Sequence, residues 1–148
     1  MKALSIAQPW AECIVSNGKN IENRTWDTKL RGYLLIHASK GKDLSRFEYC
    51  QDAYRLNHTP DNVDFGAIVG VAEIVGVVTK KSVNRNTKKW FGGVYGFHLK
   101  NIIKLKKPVP VNGALSFWRL RGRPLSSVLS QLSIAQVNRM SKNLLSKN

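Results

Sequence analysis

Apolar and polar positions divide this chain into short strands and amphipathic helices. Residues 3–7 (Ala-Leu-Ser-Ile-Ala) read as a strand. Gln8-Pro9-Trp10 then opens a helix, with Pro9 in the first turn, where a missing N–H costs nothing. Asn17-Gly18 ends it, because glycine accepts the left-handed backbone of a C-terminal cap. Residues 20–26 are extended, and period-two alternation puts Glu22, Arg24 and Trp26 on one face and Ile21, Asn23 and Thr25 on the other. Arg31-Gly32 turns into a strand at 33–38. Residues 43–56 form an amphipathic helix whose inward stripe is Leu44, Phe47, Cys50, Ala53 and Tyr54. The stretch 57–65, with Pro60, Asp61 and Asn62, is loop.

The run 66–79 is the longest β-rich segment, and its glycines predict a strand bent at close backbone contacts, as in a small barrel. A basic loop follows at 80–93, then strands at 95–99 and 102–105, with Pro108-Val109-Pro110 breaking the pairing. Residues 115–120 are a further strand, and 125–145 are helical with one interruption near Ser133. Several short strands with three helices predict an α+β fold built on a mostly antiparallel barrel.

A length of 148 residues argues for one domain. Hydrophobic residues at 43% and charged residues at 22% describe a chain able to bury a core. Lys and Arg number 24 against 9 Asp and Glu, a net charge of +15, which points to an acidic partner such as nucleic acid. That excess is regional. Residues 1–73 hold nine basic and all nine acidic residues, while 74–148 hold fifteen basic residues and no acid. Cys13 and Cys50 are too few for a disulfide scaffold or a four-ligand zinc site, and read as reduced thiols of a cytoplasmic protein. No apolar run is long enough to span a bilayer, and Gln8, Pro9 and Glu12 interrupt any signal-like start. No metal, cofactor or membrane is expected, and a monomer is the default.

The combination Leu4-Ser5-Ile6-x-Gln8-Pro9-Trp10-Ala11, Gly18-Lys19-x-Ile21-Glu22-x-Arg24-x-Trp26-x-Thr28 and Arg31-Gly32-x-Leu34-Leu35-Ile36-His37-Ala38 resembles the ASCH domain family. These are the activating-signal-cointegrator homology domains, of the PUA-like superfamily. Residues 66–71 with Glu73, Tyr95-Gly96, Pro108-Val109-Pro110 and Trp118 extend the likeness over most of 1–120. The resemblance implies a PUA-like, small, mostly antiparallel β-barrel with peripheral helices. The domain then covers 1–123, and 124–148 is a basic helical extension packing on it or trailing from it. The resemblance also implies a cleft lined by the Gln8-Pro9-Trp10 turn and the Lys19-to-Arg24 strand. Related domains bind RNA, and some small bacterial members are hydrolases of acylated cytidine or of single-stranded RNA.

The residues themselves suit a nucleotide. Glu22 and Arg24 face one way with Trp26, and Lys19 precedes them at a turn. Cations meet phosphate, a carboxylate accepts from an exocyclic amine, and indole stacks on a base. An ion pair that merely closes the barrel is the structural alternative, and the resemblance favours the site. Trp10 is a base-slot wall or a hydrophobic staple, and His37 is a general base or a satisfied buried histidine. Glu73, the one acid in its apolar strand, alternates with Val69, Val71, Val75 and Val77, which points it inward toward Lys19 or Arg24.

Two classes of function stay open. The amidohydrolase pattern implied by the resemblance needs a lysine, a threonine three residues on, and a glutamate. Lys19 fits, but Glu22 occupies the threonine position, leaving Lys19, Glu22 and Glu73 as the catalytic candidates. A lysine–glutamate pair can still cleave RNA by acid–base chemistry, with the 2′-hydroxyl as nucleophile. Binding has broader support. Lys80, Lys81, Arg85, Lys88 and Lys89 precede Trp90-Phe91, the composition of a single-strand loop. Lys104 and Lys106 share a strand face, and Arg119, Arg121 and Arg123 share another if that segment stays extended. Arg139, Lys142 and Lys147 extend the surface. RNA is favoured over DNA, and an acidic protein is a third, plainer partner.

Overall fold

A computed structural model describes residues 1–145; Lys147, assigned above to the basic surface, lies outside the described residues. Six strands are β1 (Lys2–Ile6), β2 (Ile21–Arg24), β3 (Gly32–Ala38), β4 (Ala67–Val78), β5 (Tyr95–Pro110) and β6 (Phe117–Arg119). Four helices are α1 (Trp10–Ser16), α2 (Leu44–Tyr54), α3 (Gly122–Leu129) and α4 (Ile134–Leu145). The sheet runs β2-β5-β4-β3-β1-β6, antiparallel except for the parallel β1–β3 pair.

This mixed sheet curls into a half-barrel. Phe97 of β5 and Phe117 of β6, far apart in strand order, stack with centroids 6.1 Å apart. Trp26 sits edge-on to both, at 5.1 and 5.3 Å. Side chains rather than a backbone ladder thus close the mouth between β2 and the β1–β6 side. The concave face holds Leu4, Ile36, Ile74 and Phe97 under α1. The other face holds Leu35, Val71 and Leu105 under α3 and α4, which contribute Val128 and Met140. At Gly70 a Cβ would lie 2.5 Å from Val15 Cγ1 and 2.8 Å from the Ile103 carbonyl oxygen, so only glycine lets α1 approach β4 this closely.

Local chemistry accounts for the helix ends. Asp43 caps α2 by accepting from the Ser45 N–H at 3.0 Å. Ser133 and Gln136 exchange hydrogen bonds of 3.1 and 2.8 Å at the start of α4, a capping box that explains the interruption at Ser133.

Several expectations need correction. The inward stripe of α2 is shorter than its pattern: Phe47 and Cys50 are buried, while Leu44 is 63% exposed and Ala53 is exposed too. The two strands at 95–99 and 102–105 are one strand that continues through both prolines, with a register shift and Asn101 at φ 50 between them. Pro108 and Pro110 are tolerated because β2 pairs β5 only over Tyr95 to His98, so the later half of β5 is an edge. There the Gln131 side chain stands in for a strand, accepting from the Lys107 N–H at 2.8 Å and donating to its carbonyl at 2.9 Å. Arg119, Arg121 and Arg123 do not share an extended face, because α3 begins at Gly122 with Arg121 as its N-cap.

Candidate functional site

Gly18, at φ +71, turns the chain from α1 into β2, and the Lys19 N–H bonds the Cys13 carbonyl at 3.1 Å. Glu22 lies opposite Phe97 in the β2–β5 ladder, so its side chain shares the concave face. Lys19 and Glu22 are 4% and 8% exposed. The Lys19 ammonium donates to the Ile21 carbonyl and lies 3.8 Å from Glu22 Oε2, with the Trp10 and Trp90 rings each 6.0 Å away. Arg24 Nε is 3.2 Å from Glu22 Oε1, its Nη2 donates to the Ser5 carbonyl at 2.8 Å, and its guanidinium lies 6.0 Å from the Trp26 ring.

Electrostatics in this cluster are unfinished. Burial pushes the Lys19 amine below its ordinary pKa, and the nearby Glu22 carboxylate opposes that shift. The Arg24 Nε contact to Glu22 Oε1 is close but misaligned, and the Lys19 ammonium at 3.8 Å is too far from Oε2 to bond it, so Arg24 Nε and Glu22 Oε2 are buried without a hydrogen-bond partner, as is Asn20 Oδ1. Buried polar atoms in that state call for an explanation.

Other predicted cleft residues divide between site and scaffold. Gln8 is fully buried, donating to the Asp64 carbonyl at 2.7 Å and accepting from the Glu12 N–H at 2.9 Å, which ties α1 to the loop before β4. Pro9 follows a cis peptide bond and is the N-cap of α1. Trp10 is half-buried beside Lys19, and Trp26 packs into the concave core. His37, 1% exposed, faces the other side of the sheet with its β1 neighbour Ser5. Its Nδ1 meets Ser5 Oγ at 3.0 Å, its Nε2 meets the Val111 carbonyl at 2.8 Å, and Trp118 Nε1 donates to the same Ser5 Oγ at 3.0 Å. Burial lowers the His37 pKa, in keeping with a neutral ring that donates through Nε2 and accepts through Nδ1.

Glu73 is displaced from where alternation put it. In the register Val75 is an extra residue between the pairs Ile74–Leu99 and Gly76–His98, a bulge that inverts the alternation. Glu73 therefore lies between Tyr33 and Lys100, on the face opposite Glu22. The carboxylate beside Lys19 is Glu22.

Lys80, Lys81, Arg85, Lys88 and Lys89 are all exposed on the loop between β4 and β5. Trp90 is not available as a surface stacking residue: it is 4% exposed, stacked on Tyr54 at 4.1 Å, with Lys89 5.2 Å above its ring. It anchors the loop instead. Asn23 donates to the Trp90 carbonyl at 2.9 Å and accepts from the Gly92 N–H at 3.0 Å, and Asn20 donates to the Asn86 carbonyl at 2.9 Å. The loop thus hangs from the strand that carries Glu22 and Arg24. Sequence reasoning missed these two asparagines, although alternation had already turned Asn23 away from Glu22 toward some other partner.

Remaining cations lie elsewhere. Lys104 is engaged by Glu12 at 2.9 Å and Ser16 Oγ at 2.7 Å. Lys106 borders a groove of about 510 Å³ between the end of β5 and α3, together with Lys107, Pro108 and Gln131. Arg119, Arg121 and Arg123 are exposed around β6 and the start of α3. Among the described residues no cluster of three or more His, Cys, Asp or Glu is placed to hold a metal ion.

A family model for the ASCH domain matches residues 4–109. The human protein named activating signal cointegrator 1 is 26% identical over 126 residues, and its mouse counterpart 28% over 127. Each match covers 79% of this chain and 22% of the relative, so the chain spans about a fifth of the length of those proteins. The crystal structure of ASCH from Zymomonas mobilis superposes with a TM-score of 0.51 at 15% identity, covering 89% of this chain and 95% of that one.

Proposed function

Because the chain belongs to the ASCH domain family, we propose that it binds nucleic acid, and RNA rather than DNA. One observation carries the reading: a buried Lys19–Glu22–Arg24 cluster with unpartnered polar atoms sits on the strand that anchors five exposed loop cations. Arg24 and Trp10 are the half-buried groups here, and their movement admits a base edge to the cluster, with Glu22 Oε2 accepting from an amine and Arg24 Nε donating to a ring acceptor. Trp10 flanks that edge, and Lys80, Lys81, Arg85, Lys88 and Lys89 hold the phosphates. Single-stranded RNA fits best, since its unpaired bases present their edges freely.

The test replaces Lys80, Lys81, Lys88 and Lys89 together with alanine. If about five cations contact phosphates, log affinity falls against log salt with a slope of roughly −3.5 on single strands. The variant then binds more weakly and with a flatter slope; unchanged affinity and slope refute the loop's role. A second reading, hydrolysis of a modified nucleoside or single-stranded RNA, is favoured by the lowered pKa of Lys19 beside Glu22, an acid–base pair. It requires turnover that disappears in Lys19→Met while the fold persists.

A further inference from the structure

The outer face of α2 carries an aromatic group that the Lys19 cluster does not use. Tyr49 is 59% exposed, yet its ring is held from two sides. Trp10 meets it edge-on at 6.0 Å and Tyr54 at 6.4 Å, and those two rings meet each other at 6.0 Å. A ring so restrained loses little freedom when a ligand stacks on it. Trp10 is also the ring 6.0 Å from the Lys19 ammonium. One indole therefore separates the buried cluster from the exposed tyrosine.

We propose that Tyr49 is a second subsite, a stacking platform for an unpaired nucleobase of the same single strand. The inference rests on the nucleic-acid reading above. Ring contacts lead from Tyr49 through Tyr54 to Trp90, and Lys89 lies over Trp90, which sets one loop cation two rings away from the platform. Asp52, exposed one turn along α2 from Tyr49, repels phosphate. A strand docked here turns its base to Tyr49 and its backbone to the loop. Stacking makes no demand on base identity, because every base has a π-face, so this subsite adds affinity and the buried cluster adds selectivity.

Fluorescence anisotropy with a labelled single-stranded hexanucleotide and with a labelled mononucleotide tests this on the intact chain, using Tyr49→Ala and Tyr49→Phe. The exposed position leaves the core untouched, and thermal melting confirms folding. Tyr49→Ala is expected to weaken hexanucleotide binding by about five- to a hundredfold without changing the salt slope. Tyr49→Phe keeps wild-type affinity, and mononucleotide binding is unmoved by either change. Hexanucleotide binding within twofold of wild type in Tyr49→Ala, or equal losses in both variants, overturns the platform. If the four-lysine loop variant still flattens the salt slope in that case, the broader reading survives. If the wild-type chain binds no hexanucleotide, both fall.

Discussion

Glu22→Gln is the most informative single change, because it removes the one carboxylate between two cations and keeps the shape. The Lys19 ammonium lies 3.8 Å from Glu22 Oε2 and Arg24 Nε lies 3.2 Å from Oε1, with Lys19 and Glu22 both buried. At an effective dielectric near 20, unit charges about 4 Å apart attract by about 4 kcal/mol, a gross figure set against the cost of desolvating them. Deleting one partner leaves the other charge buried and unpaired, which costs about 3–5 kcal/mol. Lys19 has one escape: it can lose its proton. Burial already lowers its pKa and Glu22 holds it up, so the variant lowers it further. Between that depressed value and the unfolded value near 10.4 the unfolded chain binds more protons, so stability rises with pH. Urea unfolding followed by tryptophan fluorescence at pH 6, 7.5 and 9 reads this directly. The expected loss is about 3–5 kcal/mol at pH 6, shrinking as pH rises. The double variant Lys19→Met/Glu22→Gln regains most of it. A loss below about 1 kcal/mol that ignores pH is the behaviour of a solvated pair, and refutes the argument.

Asn23→Ala removes two loop-anchoring hydrogen bonds, each worth about 0.5–1.5 kcal/mol, and hydrogen exchange at the Gly92 amide is expected to speed up by roughly tenfold or more; unchanged exchange contradicts the anchor. His37 has a folded pKa lowered by burial, so its contribution is whole above the unfolded value near 6.5 and is lost as pH falls through the folded value. Stability then declines by up to about 1.4 kcal/mol per pH unit in that window, and an equally steep decline in His37→Gln would contradict the assignment. Gly70→Ala puts a methyl group against Val15 and the Ile103 carbonyl, and a drop of about 1–3 kcal/mol in thermal or urea stability is expected; wild-type stability would show that α1 can shift freely.

Residues 1–38 were the most legible part of the chain, because turn chemistry and alternation there agree with the sheet. Gly18 turns where predicted, and Glu22 faces the concave side beside Phe97. Glu73 misled because a bulge is a matter of pairing between β4 and β5, and no pattern within β4 alone records it. Trp90 misled for a related reason. A loop rich in lysine reads as exposed, but its tryptophan is claimed by Tyr54 on a helix far away in sequence. Pro108 and Pro110 read as breakers because the sequence does not say that β2 is too short to need their N–H groups. Charge clusters counted together along the chain separated in space, with Lys104 engaged by Glu12 and Lys106 set against α3.

Amide chemical-shift mapping during titration with single-stranded RNA tests the central claim most directly. A base at the buried cluster and a backbone along the loop predict perturbations at Glu22, Arg24, the Trp10 indole N–H and residues 80–93, all saturating together. Saturable shifts confined to β6 and α3, or no shifts at all, would contradict it.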